Sequence, residues 1–583
     1  MPLGGFTVDQ LEEDLSDFNC KFDGDQEFVD KMNSLSTLLR LEADDLINET
    51  MAYATNLKRE DLDVAFLDAF EAHYMKKKKV PASVSKSRAV LADLKPTTAG
   101  TPRRITKLDV SAMEMDDDPA EITMPMFDCA NAPPHVTEFT MIASASGPGW
   151  FVNRTDSGKV VASHGGDTTR ERKEGNNSPF NISVKQLAAA AKQSYGEPKA
   201  AVALDGMNAR LEAYGEDVRA ANASVMGDAP FTSLIRDGES EVFIIGFVGA
   251  FDGRDVSTIE LERDEAQGAE SVTVDVMALD ERCFFPGQMA VFSGVNRTGS
   301  LFEASARLTA GKQPAAVVRT CDEDAVVWVA AGPFTPSTTA AYEPLAEIVQ
   351  LARTRQPDVL VLIGPLVDRQ SRFLVSKECT ESDDDLTAGL LRRLAAKMKG
   401  SSTRVLFMPS SSREAAVVPV FPGATLREQW KEGVVEIISD PTTLVVGGAE
   451  IAITASDIVT HLSRAESHTS SNKENTDRMT RVAGHMLEQR CLYPLYPPSL
   501  AADIEGIHKA CNLNGKQPHV IVAPALLAPF VKTAYGSVIA NPGSTCKGAS
   551  LGTLMKLRIG LSEIPEEGSS NLEKYTHVSI SKI

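Results

Sequence analysis

The rhythm of apolar and polar positions changes along the chain, and the changes mark its parts. Between residues 5 and 79 apolar side chains recur three and four apart: Phe6, Val8, Leu11, Leu15 and Phe18, then Phe28, Met32, Leu35, Leu38 and Leu39, then Leu62, Phe66, Leu67 and Phe70. That is the period of amphipathic helices, and it predicts an all-α amino-terminal domain over 1–79. From 80 to 145 the period dissolves into Pro, Ser, Thr, Ala and charge, the composition of a flexible linker.

From 240 to about 310 the runs EVFIIGFVGAF, STIELER, SVTVDVMAL, QMAVFSGV and LFEASARL follow one another with turn residues between them. Short strands at such spacing predict a small sandwich or barrel, the OB barrel included. Phe243, Phe247 and Phe251 could form the base-stacking stripe that OB barrels use. The intervening Val242, Ile244 and Val248 are apolar too, which favours a strand covered on both faces.

From about 325 the pattern turns α/β. The strands VVWVAAG, DVLVLIG, RVLFMP, TTLVVGG, EIAITAS, HVIVAPA and SVIANPG are interleaved with helical or loop segments, YEPLAEIVQLARTR and DLTAGLLRRLAAKMKG among them. Each strand runs into a turn of small residues, and strand carboxyl ends are where α/β folds place their chemistry. The polar stretch 463–481 reads as a loop.

Those turns offer little that acts on phosphate. Metal-assisted hydrolysis needs Asp, His or Asn converging on the ions, whereas the turns supply Gly, Pro, Ser and Ala. Asp368 in GPLVD is the exception, with Asp457 in TASD a second, and each also suits a helix cap or turn. Gly484-His485 falls in a helical pattern, and His164-Gly165-Gly166-Asp167 reads as a loop lacking strand context. No phosphate-binding loop, nucleophile elbow or HExxH motif occurs. Ser410, Ser411 and Ser412 read as turn-forming serines. The acidic run EMDDD at 114–118 lies in the linker, where carboxylates cannot hold a fixed geometry.

Composition narrows the picture. At 583 residues, a prior of roughly 100–200 residues per domain gives about three domains. The eight cysteines include no CxxC pair, so no zinc site is built from local pairs. No run of about 18 apolar residues occurs, and the acidic opening MPLGGFTVDQLEEDL is not a signal peptide, so an intracellular protein with no membrane contact is expected. The formal net charge of −21 works against DNA binding, which depends on basic groups displacing counterions, so any DNA contact is indirect or weak. The KKKK run at 76–79 suits a solvated helix end or a nuclear-localisation signal. Thr101-Pro102-Arg103-Arg104 has the order that proline-directed kinases read, which makes Thr101 a candidate phosphorylation site.

Several stretches together resemble the B subunits of the eukaryotic replicative DNA polymerases, the polymerase alpha branch in particular. They are FFPGQMAVFSGVNRTG (284–299), AAGPFTPSTTAAYEPL (330–345), PDVLVLIGPLVD (357–368), VLFMPSSSRE (405–414), RCLYPLYPPS (490–499), PHVIVAPALLAPFVKTAYGSVIANPGSTCKG (518–548) and GTLMKLRI (552–559), with a weaker match over 151–165. The resemblance implies a multidomain protein: a helical domain (1–79), a linker (80–145), an OB-fold domain with a preceding extension (146–320) and an inactivated calcineurin-like phosphoesterase domain (321–583). The degenerate ligand turns would be Gly332 and Pro333, then Gly364 and Pro365 through Asp368, then Pro409 and Ser410 through Ser412. No catalytic residue, metal or cofactor is implied. The implied role is a non-catalytic nuclear subunit of polymerase alpha–primase that supports primer synthesis. It would bind the carboxyl-terminal region of the catalytic subunit, meet primase through the complex, and recruit other replication factors through its helical domain. The alternatives are a B subunit of polymerase epsilon or delta, and an active metal-dependent phosphoesterase.

Overall fold

The strand Ala325–Ala331 (AVVWVAA) is buried along its whole length, as a strand covered on both faces must be. It lies inside a seven-stranded sheet. Val359–Ile363, Arg404–Met408 and Val435–Ile437 run parallel to it on one side, and Thr553–Ile559, Thr576–Lys582 and Val160–His164 follow in antiparallel order on the other. Parallel neighbours need a crossover, supplied here by the helices Glu343–Arg355 and Asp383–Met398. The second helix is capped by Ser382, whose Oγ accepts from the Asp385 amide at 3.2 Å.

Alternation along these strands builds two cores. Trp328, Leu360, Leu362, Val405 and Phe407 point to the two helices and pack on Leu345, Ile348, Leu390, Leu391 and Leu394. Val327, Val329, Val359, Val361 and Leu406 point the other way, onto Leu444, Val446, Ile451, Ile453, Val520 and Val538 of a second, six-stranded sheet. The far face of that sheet is covered by the helices Ile458–Ala465, Arg478–Glu488 and Ile504–Ala510 around Ala452, Ile521 and Ile539. The result is helix, sheet, sheet, helix.

A closed barrel precedes this sandwich, formed by Val242–Val248, Thr258–Glu265, Gly268–Asp275, Met289–Asn296 and Leu301–Leu308. Its first strand is covered on both faces, as the sequence suggests: Ile244 and Val248 face the barrel interior, while Ile245, Phe243 and Phe247 lie under the helix Ala200–Ala221. The three phenylalanines are half-buried and pack against these cores, Phe243 and Phe247 on the helix side and Phe251 on the barrel interior. Gly246 is required by close approach, since a Cβ there would sit 2.8 Å from the Glu262 carbonyl oxygen.

The computed structural model describes residues 21–22, 26–39, 46, 50, 61–62, 64, 66–67 and 70, then 151, 154–168, 180, 182–185, 200–249, 251, 256–265, 268–337, 341–371, 381–423, 434–470, 477–513, 515, 517–548 and 550–583. The chain forms two compact units, Met1–Pro133 and Pro134–Ile583. In the first, the helix Gln26–Leu39 buries Phe28, Met32 and Leu35, and Phe66, Leu67 and Phe70 are buried as well. A two-residue parallel pair, Lys21–Phe22 with Asp61–Leu62, accompanies the helix. Thr101, the KKKK run and the acidic 114–118 stretch lie outside the described residues.

Two expectations are corrected. The 463–481 stretch is not simply a loop. It holds the end of one helix, the strand Ser467–Ser470 and the start of the helix Arg478–Glu488, because that strand pairs with Glu281–Phe284 beside the barrel. His164 ends a strand, against the expectation of a loop without strand context. Val160–His164 pairs with the last strand of the chain, and Gly166 donates to His577 Nδ1 at 2.7 Å. The extension before the barrel likewise feeds both sheets, since Ser183–Lys185 pairs with Thr442–Val446.

Candidate functional site

The parallel strands of the first sheet end in register: Ala331 lies beside Ile363, and Ile363 beside Met408. The turns that follow are therefore neighbours. The Gly332 amide donates to Ile363 O and the Gly364 amide to Met408 O, each at 2.7 Å, extending the ladder by one step. Glycine is needed at both places. A Cβ on Gly332 would run into the Pro365 carbonyl oxygen, and one on Gly364 would lie 2.6 Å from the Ser410 amide nitrogen. The Gly332–Pro333 and Gly364–Pro365 peptides are both cis.

Glu414 joins these turns from within. It is fully buried, and its two carboxylate oxygens accept from the Leu366 amide at 2.7 Å and the Val367 amide at 2.8 Å. Its own amide donates to Ser410 O at 2.8 Å. Asp368 points to Arg413 at 2.5 Å and accepts from the Gln370 amide at 3.1 Å. Ser410 Oγ meets Ser412 Oγ at 3.2 Å. Pro409 lies at the edge of this network, where the strand leaves the sheet.

The turns of the second sheet are stapled in the same way. Buried Asp440 accepts from Thr454 Oγ1 and the Ala455 amide, each at 2.9 Å. Asn541 Oδ1 accepts from the amides of Ala525 and Gly543, each at 2.9 Å. Asp457 caps the helix Ile458–Ala465 through the Thr460 amide at 3.2 Å. A hydrogen bond of 2.6 Å from the Thr545 amide to Ala331 O ties the two sheets' turns together. Asp368, Glu414, Asp440, Asp457 and Asn541 each accept from at least one backbone amide, as a buried turn requires.

Among the described residues, one group brings three metal-ligand side chains together, Cys283, Glu466 and His485, none of them in these turns. It belongs to the junction between barrel and sandwich. There Gln489 brackets the backbone of Met289, accepting from its amide at 2.7 Å and donating to its carbonyl at 3.1 Å. Arg307 of the barrel pairs with Glu488. The Tyr496 amide donates to Pro286 O at 3.1 Å, and Gly287, at φ +84°, leaves room for the Tyr496 backbone.

Comparison with known proteins fits both parts of the chain. Residues 9–77 match the family model for the amino-terminal region of the DNA polymerase alpha B subunit, and residues 327–532 match that for the DNA polymerase alpha/epsilon B subunit. The chain is similar to the DNA polymerase alpha B subunits of Caenorhabditis elegans (25% identity, 99% of each chain), Mus musculus (26%, 94% of this chain and 95% of that one) and Drosophila melanogaster (28%, 47% and 44%). Over nearly its full length the chain is similar to DNA polymerase alpha B subunits.

The sequence-derived turn residues Gly332, Pro333, Gly364, Pro365, Asp368, Pro409 and Ser410 cluster at the carboxyl ends of the parallel strands. What the sequence reading missed is the set that holds them: Glu414, Asp440 and Asn541. Asn541 carried a usable signal, since Asn followed two residues later by Gly is an Asx turn.

The buried acids imply a pH profile. Burial pushes Glu414 up to about 8, against the pull of the Val367 and Leu366 amides, and lifts Asp440 to about 7, against Ala455 and Thr454. A carboxyl with a higher pKa folded than unfolded contributes stability that is complete below its unfolded value of about 4 and lost as pH rises through its folded value. Glu466 and Glu488 behave oppositely. Burial works to raise each, and is outweighed by His485 and Arg481 for the first and by Arg307 and His485 for the second, leaving both at about 2. Their contribution is present above about pH 4 and fades toward 2. We expect the thermal midpoint to peak near pH 5 and to fall between pH 6 and 8.5. Asp440→Asn, which keeps the acceptor at Oδ1, should flatten the alkaline fall in a calorimetric series. An unchanged slope would contradict this assignment.

Proposed function

We infer that this chain is a non-catalytic scaffolding subunit of DNA polymerase alpha–primase. In this reading its sandwich is a phosphoesterase-like domain whose ligand turns have become internal staples. The observation that carries it is Glu414: the carboxylate between the second and third turns faces two backbone amides, where hydrolysis would need groups aimed outward at metal-bound phosphate.

Barrel and sandwich, the first read as an OB fold, are fused by Gln489 and Arg307. They would offer one preorganised surface to the carboxyl-terminal region of the catalytic subunit. Association with a rigid surface avoids much of the ordering cost of complex formation. Primase would join through the complex. The helical domain over 1–79 would recruit other replication factors, with the 80–145 linker, modified at Thr101, adjusting its reach. The net charge of −21 supports a role in which a more basic partner engages DNA. The work of such a subunit lies in the nucleus, at the initiation of DNA replication.

The catalytic half of this reading is tested by incubating the purified chain with manganese and a chromogenic phosphodiester. We expect turnover at the level of the buffer blank. Chelator-sensitive turnover proportional to protein would overturn the scaffold reading.

A further inference from the structure

The Cys283 group at the junction is built from segments far apart in sequence, which is why no cysteine spacing reveals it. Cys283 sits on the strand Glu281–Phe284, Glu466 follows the helix Ile458–Ala465, and His485 lies on the helix Arg478–Glu488. Cys283 Sγ is 3.1 Å from Glu466 Oε1 and 3.6 Å from His485 Nε2, and those two atoms are 2.7 Å apart. All three side chains are buried, with His485 and Glu466 at 4% and 2% exposure.

We propose that Cys283, Glu466 and His485, with His468 as fourth ligand, form a structural zinc site that pins the barrel to the sandwich. Zinc bonds of about 2.3 Å to sulfur and about 2.0–2.2 Å to nitrogen and oxygen place tetrahedral ligand atoms roughly 3.3–3.8 Å apart. The sulfur–nitrogen separation already fits, and the carboxylate needs to withdraw by about half an ångström. His468 is the cross-strand neighbour of Cys283, so both side chains leave the same face of the strand pair. Its Nε2 lies 3.6 Å from Glu281 Oε1 and outside the group of three, so ligation requires the ring to turn from Glu281 toward Cys283.

The surroundings are those of a supported metal ligand set. Arg481 holds Glu466 through Nε and Nη2 at 2.9 and 3.0 Å. Glu488, itself paired with Arg307, lies 3.9 Å from His485 Nδ1. A carboxylate on the far nitrogen of a ligating histidine fixes its ring and raises its basicity. Thiolate and carboxylate together neutralise a divalent cation, with the thiol proton released on binding. Four protein ligands in a closed pocket make the site structural rather than catalytic.

The test uses the full chain, purified without chelator or polyhistidine tag. Elemental analysis should find zinc equimolar with protein, and cobalt exchanged into the site should give a thiolate charge-transfer band with tetrahedral d–d bands. Cys283→Ser should abolish the charge-transfer band. His468→Gln, at a less buried position, should keep the fold and weaken zinc binding at least ~10-fold. Wild-type protein without zinc and without a cobalt–thiolate band would overturn the proposal and leave the cluster as a hydrogen-bonded ion network. A band that survives Cys283→Ser, or zinc affinity unchanged by His468→Gln, would refute the ligand set.

Discussion

Glu414→Ala lowers the stability of the sandwich by about 3–5 kcal/mol, the combined effect of two stranded amides and a cavity. The Leu366 and Val367 N–H groups lose their acceptors inside a turn where water has no access, because Glu414 is fully buried. The Gly364 turn then keeps its other ties to the 408–417 segment, among them the Asp368–Arg413 pair, Arg369 Nη2 on the Glu414 and Val417 carbonyls, and the Ala415 amide on Val367 O. Glu414→Gln serves as the graded comparison. It keeps the volume and one acceptor but turns an amide NH₂ toward the second N–H, and should cost about 1–2 kcal/mol. Denaturant midpoints at about pH 9, above the Glu414 value of about 8, read both. Equal and small effects would mean that the turns hold themselves without the carboxylate.

Arg307→Ala should cost about 3–5 kcal/mol, because removing one member of a buried pair strands the other. Arg307 and Glu488 are 15% and 9% exposed. Without the guanidinium, Glu488 keeps His485 as its neighbour on one side and loses the barrel on the other. The guanidinium also lies over the Phe284 ring, 5.6 Å from its centroid, so packing is lost with the charge. Arg297→Ala is the control. Its pair with Glu303 is more than half exposed and should contribute below about 1 kcal/mol. Replacing Arg307 and Glu488 together by leucine should recover most of the loss, as apolar substitution of buried ion pairs does. A single-variant cost as small as that of Arg297→Ala would show that the junction does not depend on this pair.

Strand patterning made much of the fold legible. The runs AVVWVAA, VLVLI and RVLFM are continuous apolar stretches, and each is a buried strand of the first sheet. Alternation located the barrel strands to within a few residues. What escaped were elements whose identity depends on a distant partner. Ser467–Ser470 (SHTS) has no strand signature of its own and becomes a strand by pairing with Glu281–Phe284. Val160–His164 is an edge strand that completes the sheet only because the last strand of the chain passes beside it.

The candidate site divides the same way. Gly332 and Gly364 announce close backbone approach in the sequence, and the structure supplies the neighbouring chain. Glu414 and Asp440 carry no local sign of burial. Only the register of Ala331, Ile363 and Met408 places orphan amides around the first, and only the fold of the second sheet brings Thr454 and Ala455 to the other. The Cys283, Glu466 and His485 group spans about 200 residues of sequence and was invisible to any reading of spacing.

In the proposed function this fold serves to grip another polypeptide. The most direct measurement is co-purification of the full chain with the carboxyl-terminal segment of the polymerase alpha catalytic subunit, run beside the corresponding epsilon and delta segments. A stoichiometric complex with the alpha segment that survives gel filtration is expected, with no retention of the other two. Retention of the epsilon or delta segment in place of alpha, or of none, would contradict it.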